Sequence, residues 1–93
     1  MQFKKEPNWI YAEGKDGEII AEVTFPLCQT GIVAINHTYV NDSLRGQGIA
    51  AELMENCYKM LKEDGRKAVL ICPYAVKWYR EHPEKNDIVT KIS

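Results

Sequence analysis

The chain has 93 residues, the size of one domain. Twelve basic residues stand against thirteen acidic ones, a net charge of −1, so the basic footprint of a nucleic-acid binder is missing. With 45% hydrophobic residues it has the composition of a folded domain, and its longest apolar runs fall far short of a membrane span.

The opening stretch, Met1-Gln2-Phe3-Lys4-Lys5-Glu6-Pro7, has no apolar core and does not read as a signal peptide. Residues 9–13 form a short strand candidate. Lys15-Asp16-Gly17 is a turn, and Asp-Gly is a strong hairpin signal. Residues 18–25 follow as a strand with Ile19, Ala21, Val23 and Phe25 on one face and Glu18, Ile20, Glu22 and Thr24 on the other. Pro26 ends it, and residues 27–31 read as a turn. Residues 31–40 are different: Ile32, Ala34 and Val40 lie on one face, Val33, Ile35 and Tyr39 on the other. That pattern predicts a single central strand buried on both sides, although Asn36, His37 and Thr38 interrupt it.

Residues 41–48 are a polar, Gly-rich loop that feeds a helix running to about residue 63. Ile49, Ala50, Leu53, Met54, Cys57, Tyr58 and Leu61 recur at helical spacing, and Glu52, Glu55, Asn56, Lys59 and Lys62 face outwards. Gly65 is the stop signal. Residues 67–72 are a second strand apolar on both faces. Pro73 opens a helix over residues 74–82, and Pro83 closes it. Ile88-Val89 is either an edge strand or a tail. With no repeat and no linker, residues 1–93 read as one domain. The fold class is α/β with an α+β character: a mixed antiparallel and parallel sheet around a central βαβ unit, with a C-terminal helix. Ligands in such sheets bind at the carboxyl ends of the parallel strands, here Val40 and Cys72.

The three cysteines, Cys28, Cys57 and Cys72, are odd in number and far apart, so no disulfide framework is expected. There is no C-x-x-C pair, only His37 and His82 could complete a metal site, and none is expected. A reducing cytoplasm is the simplest compartment.

The segment Arg45-Gly46-Gln47-Gly48-Ile49-Ala50 sits where the central strand meets the helix. Glycine lets a backbone approach a phosphate closely. The first N–H groups of a helix have no intrahelical partner, and the helix dipole is positive there. A diphosphate would satisfy both, with Arg45 adding charge and bidentate donors. A tight turn that holds no ligand is the other reading.

The pattern Arg45-x-x-Gly48-x-Ala50 resembles the Q/R-x-x-G-x-G/A motif of the GNAT (GCN5-related N-acetyltransferase) superfamily. The stretch from Val33 through His37-Thr38-Tyr39-Val40 to Leu44-Arg45-Gly46-Gln47-Gly48 is similar too. So is Cys72-Pro73-Tyr74-Ala75-x-x-Trp78, followed by His82-Pro83-Glu84. Together they resemble the short, single-domain members of that superfamily over nearly the whole chain. The resemblance implies a minimal GNAT fold, acetyl-CoA or coenzyme A as cofactor, and transfer of an acetyl group to an unidentified amine. The alternative is a CoA-binding module with little turnover. It also implies that Arg45, Gly46, Gln47, Gly48, Ile49 and Ala50 hold the pyrophosphate, and that Tyr39, Val40 and Tyr74 lie along the rest of the cofactor. Relative to larger members the chain lacks room for the helical substrate-binding insert and the last strands, which leaves the acceptor undefined. No nucleic acid and no membrane is expected as partner; the protein is expected to be a monomer or a weak homodimer.

Acetyl transfer needs a base and a donor for the leaving thiolate. Cys72 precedes a helix start, where the dipole favours a thiolate. It could accept an acetyl group, form a mixed disulfide with CoA, or be a small buried hydrophobe. His37 is a candidate base or a satisfied core histidine. Glu22, on the polar face of its strand, is a candidate base acting through water but reads mainly as a solvated residue. Tyr74 and Tyr79 are candidate donors, with Val76, Trp78 and Tyr79 also suited to packing the last helix.

Overall fold

The computed structural model describes residues 1–91. The short β1 (Lys4–Glu6) pairs antiparallel with β2 (Trp9–Glu13), and β2 pairs with β3 (Ile19–Thr24) through the Asp16-Gly17 turn. Past Phe25 and Pro26 the chain continues as β4 (Leu27–Gln29), turns at Gly31, and returns as β5 (Ile32–Ile35) and then β6 (His37–Val40). Residues 27–31 were expected to be turn only. The difference arises because β5 gives the three residues of β4 a backbone to pair with. A 3-10 turn over Asp42–Leu44 leads to α1 (Ile49–Asp64), then β7 (Lys67–Leu70), α2 (Pro73–Glu81) and a second 3-10 turn over Pro83–Ile88.

The strands form two sheets. One is ordered β1-β2-β3-β6 and is antiparallel; the other is ordered β4-β5-β7, with β5 and β7 parallel. Residues 31–40 are therefore not one strand, as their apolar pattern predicts, but two strands in two sheets. Asn36 is the cause. Val33 and Ile35 face the core, and strict alternation would send residue 37 the same way. Instead Thr38 and Val40 lie opposite the buried Val23 and Ala21, so Asn36 and His37 both turn outwards. This extra residue acts as a bulge. Thr24 holds it from the neighbouring strand: its hydroxyl donates to Asn36 Oδ1 at 2.6 Å, and Asn36 N–H donates to Thr24 O at 3.2 Å. Before the break Ile35 pairs with Leu70 of β7; after it His37 pairs with Thr24 of β3. The second half is accordingly half open to solvent rather than buried on both faces.

The second predicted central strand also shortens. Lys67–Leu70 pairs with β5, Ile71 is exposed, and Cys72 becomes the residue that caps α2. Residues 88 and 89 prove to be neither a full strand nor a free tail. Ile88 is buried, Val89 makes a single bridge to Ala68, and Asp87 is held by Tyr58 Oη at 2.9 Å and by the ammonium of Lys62.

The core lies between the sheets and the helices. Ile10, Val23, Phe25, Val33 and Ile35 meet Leu53, Met54, Cys57 and Leu61 of α1 and Ala75, Trp78 and Tyr79 of α2. Each large side chain so buried contributes about 1.5–3 kcal/mol. The α1 stripe falls as its spacing predicts, with Ala50 and Tyr58 half-buried at its margins. Gly65 ends α1 in the left-handed region, φ 70°, its N–H donating to Leu61 O and Lys62 O.

Of the two roles open to Tyr79, proton donor or packing of the last helix, the structure gives it the second. It is 1% exposed, burial pushes its phenol well above the usual tyrosine range, and its hydroxyl has no hydrogen-bond partner among the described residues. It is a core residue, not a proton donor to a ligand. Tyr79→Phe is expected to raise stability by about 1 kcal/mol, because an unpaired buried hydroxyl is a net cost. Thermal unfolding should show the rise, and a lower Tm would mean that the hydroxyl has an unrecognised partner.

Candidate active site

The break at Asn36 puts β6 and β7 in different sheets, so the strand pairing has a gap between them. Its helix-side end is a cleft of about 180 Å³ lined by Val40, Leu44, Arg45, Gly46, Gly48, Ile49, Ala50, Ala51 and Tyr74. Sequence reasoning singled out seven of these. Leu44 was read only as the first residue of the same loop, and Ala51, whose small side chain carries no signal, was missed. Gln47 is exposed and does not line the cleft, and Tyr39 points to the other face of its sheet.

Backbone donors dominate the cleft. Among the described residues no hydrogen bond occupies the N–H groups of Gly46, Gln47, Gly48, Ile49, Ala50 or Ala51. Arg45 is different, since its N–H already donates to Asp42 O at 3.2 Å. Gly46 and Gly48 have φ of 82° and 74°, a conformation that side-chain-bearing residues rarely adopt, and a Cβ at either would point into open space. The loop thus turns its amides outwards at the start of a 16-residue helix. Arg45 Nε lies 2.9 Å from Asp42 Oδ1, but both side chains are largely exposed, so the pair holds the arginine only weakly. This donor set fits a diphosphate.

Cys72 sits on the helix side of the gap. It is 7% exposed, and its Sγ is 3.4 Å from the Thr38 hydroxyl. Burial pushes the thiol up. The Thr38 hydroxyl and the N–H groups of Ala75, Tyr74 and Thr38 outweigh that effect and hold it below the ordinary cysteine range. Thr38 was not singled out from sequence, because the contact spans 34 residues. Cys57, by contrast, is pushed up to about 12 by burial, with a small opposing effect from Arg66, and is inert. A lowered thiol pKa keeps the thiolate present at lower pH. The alkylation rate of Cys72 is therefore expected to rise at lower pH than that of a cysteine in an unstructured peptide, and Thr38→Val should move the profile back up. Coincident profiles for protein and peptide would show that these donors do not reach the sulfur.

His37 and Glu22 occupy the opposite face. His37 Nε2 lies 3.3 Å from Glu22 Oε2, and Glu22 Oε1 accepts from Trp9 Nε1 at 2.8 Å. Glu22, expected to be mainly solvated, has a side chain only 22% exposed and is tied on both oxygens. His37, at 53% exposed, is not a core histidine. The structure therefore does not gather Cys72 and His37 into one cluster; they flank β6 from its two faces. Tyr74 stays at the cleft wall, its phenol raised by burial and by the charge of Glu81, so it remains a protonated donor at neutral pH.

Over 52 residues the chain is 40% identical to Protein NATD1 of Gallus gallus, a stretch that is 56% of this chain and 47% of that protein. The match to Protein NATD1 of Homo sapiens is the same in identity and length and covers 46% of that protein. The chain thus spans about half the length of the curated relatives it matches. Its fold matches the NMR structure of a GCN5-like protein from Staphylococcus aureus with a TM-score of 0.80 at 23% identity, covering 99% of this chain and 90% of that one. Rv2747 from Mycobacterium tuberculosis, solved in complex with CoA, matches with a TM-score of 0.63 at 13% identity, covering 82% of this chain and 47% of that one. At these identities the likeness to the solved structures is one of fold. The profile of the family described as GCN5-related N-acetyl-transferase matches residues 8–88, and the chain belongs to that family.

Proposed function

We propose that this protein is an acetyl-CoA-dependent N-acetyltransferase acting on an amine. The observation that carries the reading is the row of six unoccupied amides, Gly46 to Ala51, at the start of α1 and in the same cleft as Arg45. These amides and the arginine hold the diphosphate. Val40 and Tyr74 continue the wall towards the gap between β6 and β7. When bound, acetyl-CoA supplies an acyl thioester open to attack by an amine. His37 takes the proton from the amine on the far face, and Glu22 positions its ring. The Tyr74 hydroxyl and the Cys72 thiol are the proton-bearing groups on the near side.

Calorimetric titration with acetyl-CoA, followed by a screen of amines for acetylated product, tests this directly. Saturable binding and a product are expected. Absence of binding would overturn the reading, and binding without product from any amine would leave a CoA-binding module. Cys72→Ala is expected to keep acetyl-CoA affinity within about two-fold; full turnover in that variant would take the thiol out of the mechanism.

A further inference from the structure

We infer that the uncovered face of the four-stranded sheet is the acceptor site and that it takes a lysine ammonium carried by a protein segment; this rests on the transferase reading above. α1 packs against β2, β3 and β6 from one side only. The register places Trp9, Tyr11, Glu22, Thr24, His37 and Tyr39 together on the other side. Glu22 is the centre of that group. Tyr11 stands directly across from it on β2 and Tyr39 directly across on β6, while Trp9 and His37 bond its two oxygens.

The chemistry of this arrangement selects a cation. Trp9 and Tyr11 stack at 3.8 Å with 18° between their planes, so each ring covers one face of the other and keeps its outer face for another group. Aromatic faces attract ammonium groups, and a carboxylate with about four lone-pair positions still has two free after serving Trp9 and His37. No lysine or arginine belongs to this group of six. Lys4, which shares the face at its far edge opposite Tyr11, is already paired with Glu13. An ammonium bound at Glu22 would also lie beside His37, the group placed to take its proton. The surface is a sheet face rather than a concavity. Small free ligands are held in clefts that cover most of their surface, so a flat platform suits a side chain already anchored on a protein.

The full chain labelled with 15N provides the test, because it has two tryptophans. The Trp9 indole N–H reports on this face, and buried Trp78 serves as the internal reference. The titrants are a blocked pentapeptide with a central lysine among glycines, the same peptide with norleucine, and spermidine. The lysine peptide is expected to shift the Trp9 signal saturably, binding about five-fold or more tighter than the norleucine peptide. Glu22→Gln should weaken it by a similar factor with the Trp78 signal unmoved. No Trp9 shift, or an equal shift with norleucine, overturns the site. Tighter binding of spermidine than of the peptide overturns the protein-borne occupant and assigns the face to free polyamines. Calorimetry with acetyl-CoA on the same samples separates the two readings: loss of donor binding counts against the transferase proposal, while the Trp9 response judges this one.

Discussion

Arg45→Glu is expected to weaken acetyl-CoA binding by about ten- to a hundred-fold, each tenfold step being about 1.4 kcal/mol, while the protein stays folded. The asymmetry follows from position. The Arg45 side chain is 77% exposed and it pairs with Asp42, itself 88% exposed, so the fold loses almost nothing when it goes. The ligand loses more. Reversal replaces an attractive charge beside the diphosphate with a repulsive one, and it adds a carboxylate next to Asp42. Because the site is open to solvent, salt screens the effect. The gap in affinity between wild type and variant should therefore narrow as ionic strength rises. Arg45→Lys should fall between the two, keeping charge but losing the bidentate fork. Titration at low and high salt checks all three, and equal affinity of wild type and Arg45→Glu would remove Arg45 from the site.

Phe25→Ala should cost about 3–5 kcal/mol, as truncation of a buried aromatic does, against a total stability of about 5–15 kcal/mol for a domain of this kind. Phe25 is fully buried, and its ring lies 5.9 Å from the guanidinium carbon of Arg66. Its backbone is clamped by Asn8: Phe25 N–H donates to Asn8 O at 3.0 Å and Asn8 Nδ2 donates to Phe25 O at 2.8 Å. The residue stands between β3 and Pro26, beside the point where the opposing pair β5 and β6 also breaks. Removing the ring leaves a cavity there and uncovers Arg66, whose Nε already lacks a partner among the described residues. A urea unfolding curve should show the midpoint falling, and acetyl-CoA at a hundred times its dissociation constant should return about 2.7 kcal/mol. An unchanged midpoint would mean that the core is not organised around this side chain.

Much of this was legible from the residues, and the exceptions share a cause. The α1 stripe, the Gly65 stop, the Pro73 start and the loop from Arg45 to Ala50 are local features. Spacing, a left-handed glycine and a proline at a helix start each announce themselves within a few positions. The parting of residues 31–40 does not, because Val33, Ile35 and Val40 look alike whether they belong to one sheet or two. Asn36 was visible as an interruption. That it would part the strand depended on Thr24, twelve positions earlier, being there to hold it. The Trp9–Glu22–His37 array was hidden for the same reason, since three strands must pair in one register before those side chains meet. Glu22 alone on a polar strand face looks solvated. Cys72 was legible as the residue before a helix, but its contact with Thr38 was not.

The gap between β6 and β7 also leaves β6 as the last strand of its sheet. An unpaired strand edge is a template on which another extended chain can add. Here that edge is four residues long and ends in the 3-10 turn that Asn41 caps, too short to recruit a partner strand with much affinity. A slender ligand with amide groups of its own could lie along it where a polypeptide could not compete. The brevity of β6 thus guards the protein against self-association along this edge.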